Sequence, residues 1–290
     1  MSHLIDMFQA YPVIFLTSNF ILGLLIGSFL NVVIHRLPIM MENDWKQQCC
    51  DLLELEQDNT QEEAYNLVVP RSRCPHCHHL ITALENIPII SYLFLKGKCS
   101  NCHASISIRY PLIELITALV SVIVAYIFGP NIQTIFALFL SWGLIALTMI
   151  DFDHQLLPDD ITLPLLWLGI GINYIGLFTN LEASVLGAIL GYGSLWLVYI
   201  VFKLVTGKQG MGHGDFKLLA MFGAWLGYQY LPLIIVMSSL VGALIGISMI
   251  IFYSHDRAKP IPFGPYLAIA GWICLLWGEE LLTTYYRLFV

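Results

Sequence analysis

Two aspartates stand at the ends of long apolar stretches, where a charged side chain is costly. Asp151 directly follows the apolar run that ends in Met149-Ile150, and Asp215 follows the glycine-rich segment 210–214. Acidic residues at such places face protein or a water-filled cavity and are functional candidates by default. If the two carboxylates meet, like-charge repulsion makes them share one proton, so that one activates water while the other polarises a carbonyl. Asp151 and Asp215 are therefore a candidate catalytic pair for aspartyl proteolysis.

Helix capping is the alternative role for these acids. Acidic residues stabilise helix N-termini, and Asp215 precedes an apolar segment that it could cap. Asp159 and Asp160, which follow Pro158, fit capping better than catalysis. Asp151 instead ends an apolar segment, where its charge opposes the helix dipole, and capping does not account for it. The residues by themselves leave both roles open.

Gly212 and Gly214 lie immediately before Asp215 in the pattern G-x-G-x-G-D. The dinucleotide-binding fingerprint would require a glycine where Asp215 stands and a strand before the loop, so we reject that interpretation. Glycines permit positive φ and close backbone approach. We therefore expect Gly212 and Gly214 to form a supporting loop, against which an extended substrate lies beside the acid.

Four cysteines form two C-x2-C pairs, Cys74 with Cys77 and Cys99 with Cys102, and 21 residues separate the pairs. This spacing predicts a structural Zn²⁺ site with four thiolate ligands and no open position. An iron–sulfur cluster, a disulfide pair and metal-free cysteines are the alternatives. The other three cysteines have no partner at metal spacing and are interpreted as free thiols: Cys49, Cys50 and Cys274.

The elements that position these residues are predicted to be membrane helices. Of 290 residues, 58% are hydrophobic and 11% charged, against about 25% charged in a soluble domain. Windows of about 20 apolar residues, long enough to cross a bilayer, recur along the chain. The fold class is therefore an all-α polytopic membrane protein with about eight transmembrane helices, at residues 11–34, 111–129, 132–150, 161–178, 183–205, 216–229, 231–253 and 263–285.

The Lys and Arg residues favour this topology, because cytoplasmic loops carry an excess of positive charge. Eight spans with both termini outside place twelve of the thirteen on one face. Seven spans, with the sixth and seventh merged, would put the Arg257 loop and residues 207–215 on opposite faces. Residues 1–10 contain no Lys or Arg and no cleavage site follows, so the first span is expected to be a retained helix.

Three parts follow from this reading: a first transmembrane helix at 11–34, a cytoplasmic domain with the four-Cys zinc site at 35–110, and a seven-helix membrane core at 111–290. Within residues 41–66 we expect one short helix followed by a polar loop. Because the other loops are short, the spans must pack directly on one another. Small residues such as Gly187, Gly191 and Gly193 mark expected contacts.

Several stretches of the sequence together resemble the type IV prepilin peptidases. Gly212-His-Gly214-Asp215 matches the GxGD motif of that family. The other matching segments are Gly27-Ser-Phe-Leu-Asn31-Val-Val-Ile-His35-Arg36-Leu-Pro38, the two C-x2-C pairs, Ile150-Asp151 with His154-Gln-Leu-Leu-Pro158-Asp159, and Pro262-Phe-Gly264-Pro265. They occur in the family's order, from residue 27 to residue 265.

The resemblance implies an aspartic endopeptidase whose catalytic pair is Asp151 and Asp215. It implies cleavage of the basic leader from type IV prepilins and type II secretion pseudopilins at the cytoplasmic face of the bacterial inner membrane. It also implies N-methylation of the new N-terminal residue, usually Phe, from S-adenosylmethionine, at a cofactor site that the sequence does not place. The expected partners are these precursors and the lipid bilayer, and no nucleic acid.

Three alternatives remain beside that reading. The first is a protease without methylation, and the second is a presenilin-like enzyme that cuts inside transmembrane helices. The third, from a different class, is a transporter with a zinc-stabilised loop, in which the acids would bind ions or protons. The sequence leaves the oligomeric state undetermined.

Overall fold

The computed structural model describes residues 2–54, 65–208, 210–253 and 262–289, and most of these residues lie in helices. Within these ranges there is no β-strand, only two isolated bridges. The predicted all-α fold is confirmed. The helices are α1 (Ser2–Ala10), α2 (Pro12–Leu52), α3 (Ile90–Phe94), α4 (Arg109–Phe128), α5 (Ile132–His154), α6 (Asp159–Asn173), α7 (Leu181–Thr206), α8 (His213–Leu226), α9 (Leu231–Tyr253) and α10 (Gly264–Phe289), with a 3-10 turn at Tyr228–Tyr230.

Each of the eight predicted spans coincides with a helix, but two of these helices are short. Six are long and apolar enough to cross a membrane: α2, α4, α5, α7, α9 with the preceding turn, and α10. Helix α6 has 15 residues and α8 has 14. At 1.5 Å per residue, α8 is about 21 Å long, less than the roughly 30 Å of a hydrocarbon core. The chain thus has the helices of a multi-pass membrane protein.

The chain divides into two compact units, residues 1–138 and 139–290. In the first unit, α2 and α4 pack closely because glycines remove the side chain at their contact. A Cβ on Gly23 or Gly27 would lie 2.6 Å from the Cα of Ala118 or Glu114, respectively. Helix α2 does not end with the predicted first span but continues to Leu52. The short helix expected within residues 41–66 is therefore in part the C-terminal end of α2. Residues 55–64 lie outside the described part of the chain.

In the second unit, α8 is enclosed by α6, α7, α9 and α10. Eleven of its 14 residues are buried, as expected of a helix that is apolar on every side. A Cβ on Gly187 of α7 would lie 2.2 Å from the carbonyl oxygen of Gly223, and Gly191 similarly contacts the α8 backbone. The predicted contacts of Gly187 and Gly191 are confirmed, whereas a Cβ on Gly193 would meet nothing within 4 Å among the described atoms.

Helix α8 is short because its C-terminal carbonyls find partners inside the protein. The Asn173 side-chain amide donates hydrogen bonds to the carbonyl oxygens of Ala224 and Trp225, at 2.8 and 2.9 Å. The Ser184 hydroxyl donates to Ala224 as well, at 2.6 Å. A helix end within a membrane protein must satisfy its last carbonyls internally. These bonds let α8 stop before a full crossing.

Candidate active site and metal centre

Asp151 lies in the last turn of α5 and is only 5% exposed. Its carboxylate accepts a hydrogen bond from the backbone N–H of Gly264, the first residue of α10. Its Oδ2 atom has no hydrogen-bond partner among the described residues. A buried oxygen without a partner is costly, so its persistence requires an explanation such as a catalytic role.

Asp215 is the third residue of α8, after the N-cap Gly212, and is 8% exposed. Its carboxylate accepts a hydrogen bond from the backbone N–H of Gly212. An acid at this position that reaches back to the N-cap N–H is half of a capping box. Asp215 therefore does cap α8, and the same bond fixes the carboxylate at the helix end.

The structure brings the two predicted aspartates together at the meeting point of α5, α8 and the start of α10. They are close enough for the charge of Asp151 to act on Asp215. Leu157 packs against the backbone beside both acids. A Cβ on Gly214 would lie 2.8 Å from Leu157 Cβ, and one on Gly264 would lie 3.2 Å from Leu157 Cδ1. Leu157 thus supplies apolar packing next to both acids.

The backbone at Gly212 and Gly214 differs from the sequence expectation. Gly212 is extended, with φ −78° and ψ 149°, and Gly214 belongs to the first turn of α8. Neither glycine uses the positive φ that its residue type permits. What Gly214 provides is room for Leu157, while Gly212 supplies the N–H that holds Asp215.

Lys217, two residues after Asp215, forms an ion pair that the sequence did not predict. Lys217 Nζ lies 2.7 Å from both carboxylate oxygens of Asp159. The bond joins the fifth residue of α8 to the first residue of α6, 58 residues away along the chain. Asp159 was interpreted as a helix cap, and it does lie in the first turn of α6. No local pattern identifies its distant partner.

The four predicted cysteines form one cluster. Their sulfur atoms all lie within 4.8 Å of one another, so Cys74, Cys77, Cys99 and Cys102 could together hold a metal ion. None of the seven cysteines, all of which the structure describes, forms a disulfide. No histidine belongs to the cluster formed by the described residues, which leaves a set of four sulfur ligands.

The two C-x2-C turns have the same hydrogen bonds. Cys74 N–H donates to the His79 carbonyl and His78 N–H to the Cys74 carbonyl, at 2.9 Å each. In the second turn, Cys99 and His103 donate to Ala104 and Cys99 in the same way, at 2.8 and 3.1 Å. Such paired turns place four sulfurs around one point, as structural metal sites require.

Glu85 links the two turns. It accepts hydrogen bonds from the Ser100 hydroxyl, which follows Cys99, and from the backbone N–H and hydroxyl of Thr82. These hydrogen bonds lower the pKa of Glu85 to about 2, and the bond from Ser100 has the largest effect. The carboxylate therefore stays ionised at any physiological pH and holds the turns in register.

Two protein-family models match most of the chain. The family described as "Bacterial Peptidase A24 N-terminal domain" matches residues 21–128, and the "Type IV leader peptidase family" matches residues 138–247. No solved structure gives a significant match.

Relatives from three bacteria carry the name "Prepilin leader peptidase/N-methyltransferase". That of Stutzerimonas stutzeri is 57% identical over 97% of both chains, and that of Pseudomonas aeruginosa is 56% identical over 97% of both. The relative from Aeromonas hydrophila is 54% identical over 98% of both chains. Identity of this extent, together with the two matched domains, shows that the chain belongs to the type IV leader peptidase family.

Proposed function

We propose that this chain cleaves the leader peptides of type IV prepilins and type II secretion pseudopilins, with Asp151 and Asp215 as the catalytic pair. The observation that carries the proposal is the meeting of two buried carboxylates, one with an unpartnered oxygen, at the ends of α5 and α8. The names of its relatives supply prepilins as the substrate class, and the pseudopilins are added by the family resemblance.

The geometry suits a pair that shares one proton. Gly264 N–H donates to the Asp151 carboxylate, and Gly212 N–H donates to that of Asp215. Asp151 Oδ2 is buried and has no hydrogen-bond partner among the described residues, so the pair keeps one unused acceptor. The ionised member removes a proton from water, which attacks the scissile carbonyl, while the protonated member donates to the carbonyl oxygen. The proton belongs to the pair, so neither residue is assigned a fixed role.

The test is cleavage of a purified prepilin by Asp151→Asn and Asp215→Asn variants, followed by mass spectrometry. Each variant should leave the precursor intact, and the double variant should be no more impaired than either single one, because the pair acts as a unit. Asp160→Asn is the matched control, because Asp160 is an exposed aspartate at the start of α6. This variant should cleave the prepilin at the normal rate. Cleavage by a folded single variant would exclude the proposed pair.

A second step, methylation of the new N-terminus, rests on the second half of the relatives' names. The freed amine would attack the methyl carbon of S-adenosylmethionine, the sulfur would leave as S-adenosylhomocysteine, and the amine would lose a proton. A cleaved product that gains one methyl group only when S-adenosylmethionine is added supports this step. If the mass of the cleaved product does not change when S-adenosylmethionine is added, the function is proteolysis alone.

We further propose that the four-Cys cluster binds Zn²⁺ as a structural ion. Four thiolates complete a tetrahedral shell, the arrangement of structural zinc sites, and leave no position for a catalytic water. The cluster itself is the support for this assignment. Metal analysis of the purified chain should give one zinc per molecule, and iron in its place would contradict the assignment.

We place the chain in the bacterial inner membrane with the aspartates on the cytoplasmic side. The distribution of Lys and Arg supports this orientation, although Arg257 and Lys259 lie outside the described residues. The same proposal includes the predicted division into a first transmembrane helix at 11–34, a cytoplasmic domain at 35–110 and a membrane core at 111–290. Labelling of intact cells with a membrane-impermeant reagent should leave residues between α2 and α4 unmodified, and their modification from outside would invert the topology.

A further inference from the structure

Large apolar side chains around α3 are exposed, although they belong to the polar segment that carries the cysteine cluster. Phe94 is 84% exposed and Leu93 is 67% exposed. With Leu84, Ile87 and Ile90, which are also exposed, they form what we call the α3 patch. Leu84, Ile87, Ile90 and Phe94 line one hollow together with Leu95, Ser91 and Glu85, so four of the five patch residues are contiguous. Contiguous apolar surface of this kind marks a binding or membrane-contact site.

A hydrogen bond fixes the position of α3 along the membrane helices. The backbone N–H of Ile89, which directly precedes α3, donates to Glu114 Oε2 at 2.8 Å. Glu114 lies five residues inside α4, about 7.5 Å from Arg109 along the helix axis. It is also packed against α2 at Gly27. The start of α3 therefore lies beside two membrane helices, on the apolar side of Arg109.

Basic residues follow the patch immediately. Lys96 and Lys98 are both exposed, and they flank Gly97 at the end of the α3 segment. An apolar surface edged by basic side chains is typical of segments that lie in the membrane interface, where lysines contact anionic headgroups. A protein partner would not by itself account for the depth of α3 alongside α4.

We infer that the α3 patch is inserted into the cytoplasmic leaflet of the bilayer, with its apolar side chains among the lipid acyl chains. Lys96 and Lys98 then lie at the level of the lipid phosphates. The occupant of the patch is phospholipid, and the exposed apolar residues are solvated by lipid rather than by water. Cys99 follows Lys98 directly, so the cysteine cluster to which it belongs is thereby held at the membrane surface.

The test uses a photoreactive residue in the full chain in its native membrane. p-Benzoylphenylalanine replaces Phe94, and in separate chains Leu119 and Leu52. Leu119 is an exposed residue in the middle of α4 and serves as the bilayer reference. Leu52 is exposed at the end of α2, about 30 Å along the helix from Asn31, which contacts α4 at Tyr110, and serves as the aqueous reference.

After irradiation, mass spectrometry identifies what each position has captured. Phospholipid adducts should form at position 94 with a yield comparable to that at position 119, and several-fold above that at position 52. A peptide adduct at position 94, from this chain or another protein, would overturn the inference, and so would a lipid yield as low as at position 52. Processing of a prepilin by each chain verifies the fold, and the lipid readout does not depend on which residues catalyse cleavage.

Discussion

Lys217 donates to both carboxylate oxygens of Asp159 and so ties the helix that carries Asp215 to the first turn of α6. Lys217 follows Asp215 by two residues. The pair is partly exposed, with 30% of the Lys217 side chain and 50% of the Asp159 side chain accessible. Its contribution to stability is therefore small, and its main effect is on the direction of the α8 start.

The first prediction concerns this ion pair. Lys217→Met should lower the rate of leader cleavage by about tenfold or less, equivalent to about 1.4 kcal/mol in the barrier, while the unfolding free energy falls by no more than about 1 kcal/mol. Lys217→Arg keeps a bidentate bond to a carboxylate and should restore most of the rate. Equal loss in both variants would mean that the pair does not position Asp215.

The second prediction concerns Gly264. A Cβ there would lie 2.6 Å from Asp151 Oδ2, so Gly264→Ala should displace the carboxylate and reduce the cleavage rate strongly, by about 100-fold if the displacement reaches 1 Å. Thermal unfolding should change little. Gly193→Ala is the control, because its Cβ would meet nothing within 4 Å among the described atoms. A fully active Gly264→Ala enzyme would show that Asp151 tolerates movement.

The third prediction concerns the contact between α7 and α8. Gly223→Ala should destabilise the protein by about 1–3 kcal/mol or more, because the new methyl group would lie 2.0 Å from the Gly187 carbonyl oxygen. Gly171→Ala, where the Cβ faces open space, should be neutral or slightly stabilising, since alanine is the better helix former. Thermal unfolding in detergent measures both. Similar stabilities for the two variants would contradict the packing described for α8.

The fourth prediction concerns the metal cluster. Cys74→Ser removes one of four ligands and should release the metal and loosen residues 71–105, as seen by metal analysis and limited proteolysis. Cys274→Ser, which changes a buried cysteine outside the cluster, should retain the metal. If leader cleavage continues in Cys74→Ser while methylation stops, the cluster serves the second reaction. Metal retention by Cys74→Ser would exclude it as a ligand.

Features determined by residue type and spacing were predictable. Runs of apolar residues identified the eight helices, and two C-x2-C pairs identified the cluster, because each depends on a local pattern. Asp151 and Asp215 stood out because a charge at a membrane helix end is costly. Their pairing was a candidate from the residues alone, which left helix capping open, and the resemblance then implied it.

What escaped prediction depends on contacts between distant residues. The bonds from Asn173 to the end of α8, and from Gly264 to Asp151, join elements that no pattern relates. The continuation of α2 to Leu52 escaped because loss of hydropathy was taken as the end of the helix, whereas residues past the apolar run continue the same hydrogen-bonded turns. Hydropathy indicates where a membrane ends, not where a helix ends.

The two fixed ends of α8 have a consequence for how its length can vary. Lys217, the fifth residue of α8, is bonded to Asp159 of α6, and Asn173 donates to the last carbonyls of α8. Inserting or deleting one residue between them would shift one end by about 1.5 Å and rotate it by about 100°, because a helix has 3.6 residues per turn. Either Asp215 or the Asn173 bonds would then face the wrong way. The number of residues in α8 therefore determines the direction in which Asp215 points.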